Sequence, residues 1–124
     1  MSTVSDMQVP VTLADRYTLT AGRVLLNGTQ ALVRLLLQQH ARDAAEGRRT
    51  AGYVSGYRGS PLGGLDQQLL SARATLEAAQ VRFEPGVNED LAATAIWGTQ
   101  QLGLVPGAKV DGVYAMWYLS LIHI

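Results

Sequence analysis

The sequence contains no cysteine. Disulfide bonds, thiolate metal sites, cysteine-ligated iron–sulfur clusters and cysteine nucleophiles are therefore excluded within these 124 residues. Histidine is nearly as scarce, and the two that occur, His40 and His123, cannot form a metal cluster unaided. Thiol chemistry and multi-histidine metal sites are thus excluded within this chain.

An excess of either sign of charge is also lacking, because 10 basic residues balance 10 acidic ones. The arginines are scattered between Arg16 and Arg82 without a cluster, so the sequence contains no basic patch that would attract nucleic acid or an anionic membrane. The apolar runs are far shorter than the roughly 20 residues of a bilayer span. The N-terminus lacks the basic and apolar segments of a secretion signal. These absences predict a cytoplasmic protein with no nucleic-acid and no membrane partner.

What is present is a globular composition, with 48% hydrophobic and 16% charged residues. Residues 1–12 are predicted to form a loose N-terminal tail, and residues 17–19 a short extended segment. Apolar residues at one-face spacing then predict a helix over residues 29–47, which Gly47 ends.

The rest of the chain alternates between helices and strands. Strands are predicted at residues 50–55, 81–84 and 111–117. One amphipathic helix is predicted along the stripe from Leu65 to Ala79, and another after Asn88, with Leu91, Ala95, Ile96 and Leu102 on its apolar face. This alternation predicts an α/β domain with a mainly parallel sheet flanked by helices. Ligands of such sheets bind beyond the carboxyl ends of the strands, which here means the loop at 56–64 and the turn at 85–89.

The glycine-rich loop G-Y-R-G-S-P-L-G-G, residues 56–64, matches neither the P-loop nor the dinucleotide-binding pattern. As an anonymous loop it is more often a plain connection between a strand and a helix. The alternative is a ligand site, in which Tyr57, Arg58 and Ser60 supply stacking, charge and a hydroxyl among small residues.

The stretch P-G-V-N-E-D-L-A-A-T-A-I-W-G, residues 85–98, places Glu89 and Asp90 at the start of a helix. Taken alone, the pattern favours helix capping and compensation of the helix dipole over catalysis. The alternative is a carboxylate that transfers a proton. The small residues at 92–95 would let a planar ligand approach and would leave the carboxylate poorly solvated. Outside these two stretches, His40 is predicted to lie at the surface, and Trp97 and Trp117 in the core.

Three long stretches together carry a family resemblance: Y-T-L-T-A-G-R-V-L-L-N-G-T-Q-A-L-V-R-L, S-G-Y-R-G-S-P-L-G-G-L-D-Q-Q-L and P-G-V-N-E-D-L-A-A-T-A-I-W-G-T-Q-Q. D-G-V-Y-A-M-W-Y continues the match. From about residue 17 to residue 118 the chain resembles the start of the indolepyruvate ferredoxin oxidoreductase family. The match covers most of this chain but only the first part of the family's length.

The resemblance implies an enzyme that uses thiamine diphosphate to decarboxylate 2-oxo acids, typically arylpyruvates, oxidatively to acyl-CoA. Coenzyme A is the co-substrate and ferredoxin the electron acceptor. Residues 13–118 would form the N-terminal part of the domain that binds the cofactor's pyrimidine ring. Mg²⁺, the 4Fe-4S clusters and the rest of a homo-oligomeric enzyme would depend on residues outside this chain.

The resemblance also assigns site residues. Glu89 takes the position of the cofactor-activating glutamate, which reverses the preference for plain capping. Asp90 remains a neighbour that complements the helix dipole. Gly59, Ser60 and Pro61 are implied in cofactor binding, and Tyr57, Arg58 and Ser60 in substrate binding, with no metal ligand among them.

The final residues, L-S-L-I-H-I at 119–124, depart from the family, which continues with a glycine-rich segment. We therefore expect them to be non-native, the chain to be inactive alone, and an apolar face to be exposed where the rest of the enzyme docks. Two alternatives stay open: a non-catalytic α/β ligand-binding or subunit-interface module, and a thiamine-dependent decarboxylase or synthase without iron–sulfur clusters.

Overall fold

A computed structural model describes residues 10–59 and 61–119 of the chain. Within these ranges the helices are α1 (Asp15–Thr18), α2 (Gly28–Ala45), α3 (Gly63–Ser71), α4 (Arg73–Ala78) and α5 (Glu89–Thr99), with a short 3-10 helix at Leu102–Leu104. The strands are β1 (Thr50–Gly56), β2 (Val81–Phe83) and β3 (Gly112–Tyr118).

The three strands form one parallel sheet in the order β2-β1-β3. β1 is central and pairs over its full length with β3, from Thr50 opposite Gly112 to Gly56 opposite Tyr118. The connection from β1 to β2 and the connection from β2 to β3 run in opposite directions across the sheet. With the right-handed crossovers that are the rule between parallel strands, α3 and α4 fall on one face and α5 on the other. The predicted α/β class with a parallel sheet is confirmed.

The hydrophobic core lies on the face covered by α2, α3 and α4. The stripe predicted from Leu65 onward provides much of it, and the strands contribute Val54, Val81 and Tyr118. α5 covers the other face thinly, because Ala92 is the one residue of this helix that is buried. The sheet is thus well packed on one side and lightly covered on the other.

Local signals explain where the helices begin and end. Asn27 and Gln30 form a capping box at the start of α2, since each side chain accepts a hydrogen bond from the other residue's backbone N–H, at 2.9 and 3.0 Å. Beyond α2, Gly47 has a φ of 76°, a left-handed conformation that favours glycine.

Several predictions about local structure are wrong. Residues 17–19 are not an extended segment, because Tyr17 and Thr18 belong to α1. The start of α1 is held by hydrogen bonds that the backbone N–H and the hydroxyl of Thr12 donate to the carboxylate of Asp15. The single helix after the glycine-rich loop is two helices that meet at Ala72, where ψ rises to 9° before the hydrogen bond from Leu76 N to Ala72 O resumes the ladder. The N-terminal tail lies outside the described residues up to position 9, and residues 10–12 have no helix or strand.

Predictions about burial on α5 and at the aromatic residues also fail. Leu91 and Ala95 are exposed, and Ala92 takes the buried position instead. Trp97 and Trp117 are 65% and 43% exposed rather than in the core. His40 was expected at the surface, but it is partly buried, and its Nδ1 is buried without a hydrogen-bond partner in the part of the chain described.

Candidate functional site at the carboxyl edge of the sheet

The two stretches singled out from the sequence meet at the carboxyl edge of the sheet. All three strands are parallel, so the loop after β1 and the turn after β2 leave the sheet on the same side. Two backbone hydrogen bonds join them: Glu84 N donates to Val54 O at 3.0 Å, and Gly86 N donates to Gly56 O at 2.8 Å. The turn that leads into α5 is therefore fixed directly beside the residue that precedes Tyr57 and Arg58.

Glu89 is the first residue of α5 and is partly buried. The N-cap of this helix is the preceding residue, Asn88, whose side chain accepts a hydrogen bond from Leu91 N at 2.8 Å. Capping is thus the work of Asn88, and Glu89 and Asp90 supply first-turn negative charge. Of the two carboxylates, Glu89 is the less exposed.

The turn before Glu89 is tight because it lacks a side chain at position 86. A Cβ on Gly86 would lie 2.7 Å from the Cβ of Ala92 and 2.9 Å from the carbonyl oxygen of Asn88. The small residues at 86 and 92 therefore let the first turn of α5 fold back closely onto the edge of the sheet. This close approach, together with the bond from Gly86 N to Gly56 O, fixes the start of α5 at the carboxyl edge of the sheet.

The loop after β1 carries the other predicted site residues, and most of them face solvent. Tyr57 is partly buried, while Arg58, Gly59 and Pro61 are exposed. The ring of Tyr57 folds over Gly59, where a Cβ would lie 2.5 Å from a ring carbon. Ser60, implied in both cofactor and substrate binding, lies outside the described residues.

Asp66 is a polar residue of this edge that the sequence analysis missed. It is only 5% exposed, and Tyr118 at the end of β3 donates a hydrogen bond from its hydroxyl to Asp66 Oδ1. Arg58 Nε lies 4.0 Å from the other oxygen, Oδ2. Burial raises the pKa of Asp66, and the nearby Arg58 guanidinium partly opposes that rise. The sequence did contain a signal for its burial. Asp66 stands three residues before Leu69 in a predicted amphipathic helix, so the two side chains lie on the same, buried face.

A second buried polar cluster lies at the opposite, amino edge. Asp43 of α2 accepts hydrogen bonds from Gln39 Nε2 at 2.9 Å and from Thr50 Oγ1 at 2.6 Å. Tyr114 of β3 donates from its hydroxyl to Leu36 O at 3.0 Å. Burial, together with the charge of Asp43, raises the pKa of Tyr114 to about 12. Each of these bonds ties α2 to a strand or stays within α2, so we assign the cluster a structural role.

Two surface cavities are lined by none of the site residues described above. One of about 340 Å³ borders the free edge of β2, and one of about 310 Å³ lies between α1 and α2. Within residues 10–59 and 61–119, no three His, Cys, Asp or Glu side chains come together to hold a metal ion. No helix in those ranges is both long and apolar enough to cross a membrane.

Comparison with known proteins adds no relative. No protein-family model matches the chain, and no curated protein and no solved structure matches it.

Proposed function

We propose that the chain is the pyrimidine-binding portion of a thiamine diphosphate-dependent 2-oxo acid:ferredoxin oxidoreductase, with Glu89 as the cofactor-activating carboxylate. The single observation that carries the proposal is the placement of Glu89. It is a partly buried carboxylate at a helix start, on the carboxyl edge where parallel α/β sheets bind ligands, beside the loop that contains Arg58. The family resemblance of the sequence supplies the reaction.

The residues at this edge fit one half of the cofactor. Glu89 offers a carboxyl for the ring nitrogen N1′, and the close contact of Gly86 with Ala92 holds the first turn of α5, and with it Glu89, against the turn that follows β2. When bound, thiamine diphosphate supplies the carbon nucleophile and the electron sink for decarboxylation. The family resemblance places the residues that bind its diphosphate and Mg²⁺ outside this chain.

Glu89 would hold and return a proton at N1′. A carboxyl beside the ring nitrogen can give and take back a proton there, and Glu89 is the less exposed of the two carboxylates at this helix start. Asp90 is exposed, so the same chemistry does not extend to it. The pair therefore divides into a proton-transfer residue and a helix-start residue.

The test compares Glu89→Gln with Asp90→Asn in the complete reading frame that contains this chain. We expect Glu89→Gln to slow hydrogen–deuterium exchange at C2 of the cofactor, followed by NMR, and 2-oxo acid turnover by about 100-fold or more. Asp90→Asn should leave the exchange rate and the turnover within about twofold of the unsubstituted protein, since loss of the Asp90 charge affects only the interaction with the helix dipole. Equal rates for the two variants would refute the catalytic role of Glu89.

A second candidate function is a non-catalytic interface module, and one observation favours it. Leu91, Trp97 and Trp117 lie on α5 and β3 and are 54%, 65% and 43% exposed. Exposed large apolar residues on adjacent elements are typical of surfaces that bind another protein domain. If the chain is only such a module, thiamine diphosphate will have no effect on its stability, and Glu89→Gln will behave like any exposed helix-start substitution.

A further inference from the structure

We propose that Asp66 is a positioning residue that orients Arg58, so that the arginine presents its terminal nitrogens to a substrate carboxylate. The inference rests on the proposed function only for the identity of the ligand, a 2-oxo acid. Its structural basis is the contact of one buried carboxylate with two partners, Tyr118 and Arg58.

Asp66 is the fixed member of this group. It stands in α3 between Leu65 and Leu69, which are both 0% exposed, and the hydroxyl of Tyr118 holds its Oδ1. Tyr118 is itself 3% exposed and packs so tightly on Gly56 that a Cβ there would lie 2.5 Å from the ring. The carboxylate therefore cannot swing toward solvent without disturbing the core.

Arg58 is the exposed member, with a side chain that is 78% exposed. A buried carboxylate needs a compensating positive charge. Among the described residues, Arg58 is the cation recorded within 4.0 Å of Asp66. The fixed anion therefore sets the direction of the long flexible side chain, rather than the reverse.

The contact also leaves the recognition end of the guanidinium available. Arg58 faces Asp66 through Nε, so its Nη1 and Nη2 atoms remain for a carboxylate to bind with two parallel hydrogen bonds. Position 58 lies on the loop beside the turn that precedes Glu89, because Gly86 N bonds Gly56 O. A 2-oxo acid bound by its carboxylate at Arg58 would thus lie at the same edge as Glu89.

The experiment measures binding of phenylpyruvate to the 124-residue chain by NMR, with phenylacetone as the analogue that lacks the carboxylate. Asp66→Asn keeps an acceptor for Tyr118 but removes the charge. Loss of a negative charge beside Arg58 would by itself strengthen binding of an anion, whereas loss of orientation weakens it. We expect phenylpyruvate to bind about threefold or more weakly to Asp66→Asn, and phenylacetone to bind both proteins equally.

Two further variants complete the test. Arg58→Gln, an exposed loop substitution, should abolish the preference for phenylpyruvate over phenylacetone. Glu84→Gln is the matched control, because it removes a carboxylate from another arginine, Arg82, which it contacts at 2.7 Å. It should leave phenylpyruvate affinity unchanged.

A dynamic readout separates positioning from a purely structural role. The Nε–Hε group of Arg58 should be ordered in the unsubstituted chain and become mobile in Asp66→Asn, by ¹⁵N relaxation. Unchanged or tighter phenylpyruvate binding in Asp66→Asn, no binding by the unsubstituted chain, or an equally ordered Arg58 in the variant would overturn the inference. None of these measurements involves Glu89 or thiamine diphosphate, so the inference and the proposed function fail independently.

Discussion

At the scale of single residues, the burial of Asp66 has a consequence for stability. Burial raises its pKa above the ordinary value of 3.8, so the folded protein disfavours the charged carboxylate relative to the unfolded chain. The contribution of Asp66 to the free energy of unfolding is therefore fully present below pH 3.8 and is lost as the pH rises through the folded pKa. Above the folded pKa the charge is a cost that Arg58 offsets only in part.

Asp66→Asn removes that cost while the amide oxygen still accepts from Tyr118. We expect the free energy of unfolding at pH 7 to rise by about 1 kcal/mol, the ordinary scale of a single substitution. We also expect its fall with pH above 3.8 to flatten. Urea unfolding at several pH values measures both, and Glu77→Gln, an exposed carboxylate, is the control. Lower stability at pH 7 would contradict the prediction.

Gly56 packs closely against Tyr118, the residue that hydrogen-bonds Asp66, and leaves no room there for a side chain. A Cβ at this position would lie 2.5 Å from both a ring carbon and the carbonyl oxygen of Tyr118, and backbone cannot yield as a flexible side chain can. Gly56→Ala should therefore lower the free energy of unfolding by about 2 kcal/mol or more. Gly98→Ala, in α5 with nothing within 4 Å, should have the opposite effect because alanine favours the helix. Equal effects of the two substitutions would show that the contact at Gly56 is not tight.

At the scale of secondary-structure elements, α5 depends on its cap more than on its packing. Only Ala92 of this helix is buried, so apart from its close contact with Gly86 little apolar packing holds the first turn. We expect Asn88→Ala to cost about 1 kcal/mol and to speed amide exchange in α5, while Asn88→Asp, which keeps the acceptor, costs little. Hydrogen exchange followed by NMR distinguishes the two, and equal protection in both variants would contradict the capping role.

The sequence predicted those features of the elements that depend on neighbouring residues, and it failed for those that depend on tertiary packing. Asn88, the stripe that starts at Leu65 and the break at Pro85 and Gly86 are local signals, and the structure agrees with them. The burial of Ala92 instead of Leu91, and the exposure of Trp97, depend on which face of the sheet α5 covers. Periodicity within one helix does not contain that information.

In the candidate site, too, some features were predictable from the sequence and others depend on the tertiary fold. That the loop after β1 and the turn before Glu89 share an edge followed from parallel pairing, and the bond between Gly86 and Gly56 agrees with it. The buried contact of Asp66 with Tyr118 joins residues 52 positions apart, which only the tertiary fold brings together.

At the scale of the whole molecule, the thinly covered face should govern behaviour in solution. Leu91, Trp97 and Trp117 are exposed on α5 and β3, so the purified chain should bind a hydrophobic dye such as ANS and self-associate as its concentration rises. Leu91→Gln with Trp97→Gln should reduce dye binding several-fold, while changing the free energy of unfolding by about 0.5 kcal/mol or less, because exposed side chains contribute little to the core. Analytical ultracentrifugation and dye fluorescence check both, and a variant that binds as much dye would contradict the assignment of this face.

The strand order β2-β1-β3 has a further consequence, which concerns folding kinetics. β1 pairs with β3 across 62 positions of sequence, from Thr50 opposite Gly112 to Gly56 opposite Tyr118, and its contact with β2 spans only three residue pairs. Such long-range pairing is slow to form, because the entropy of closing the loop is lost before the contacts are gained. During synthesis the central strand therefore emerges with one long edge open until residues 112–118 follow. The speed of reaching the native sheet is set by the arrival of β3, even though the helices beside β1 can form much earlier.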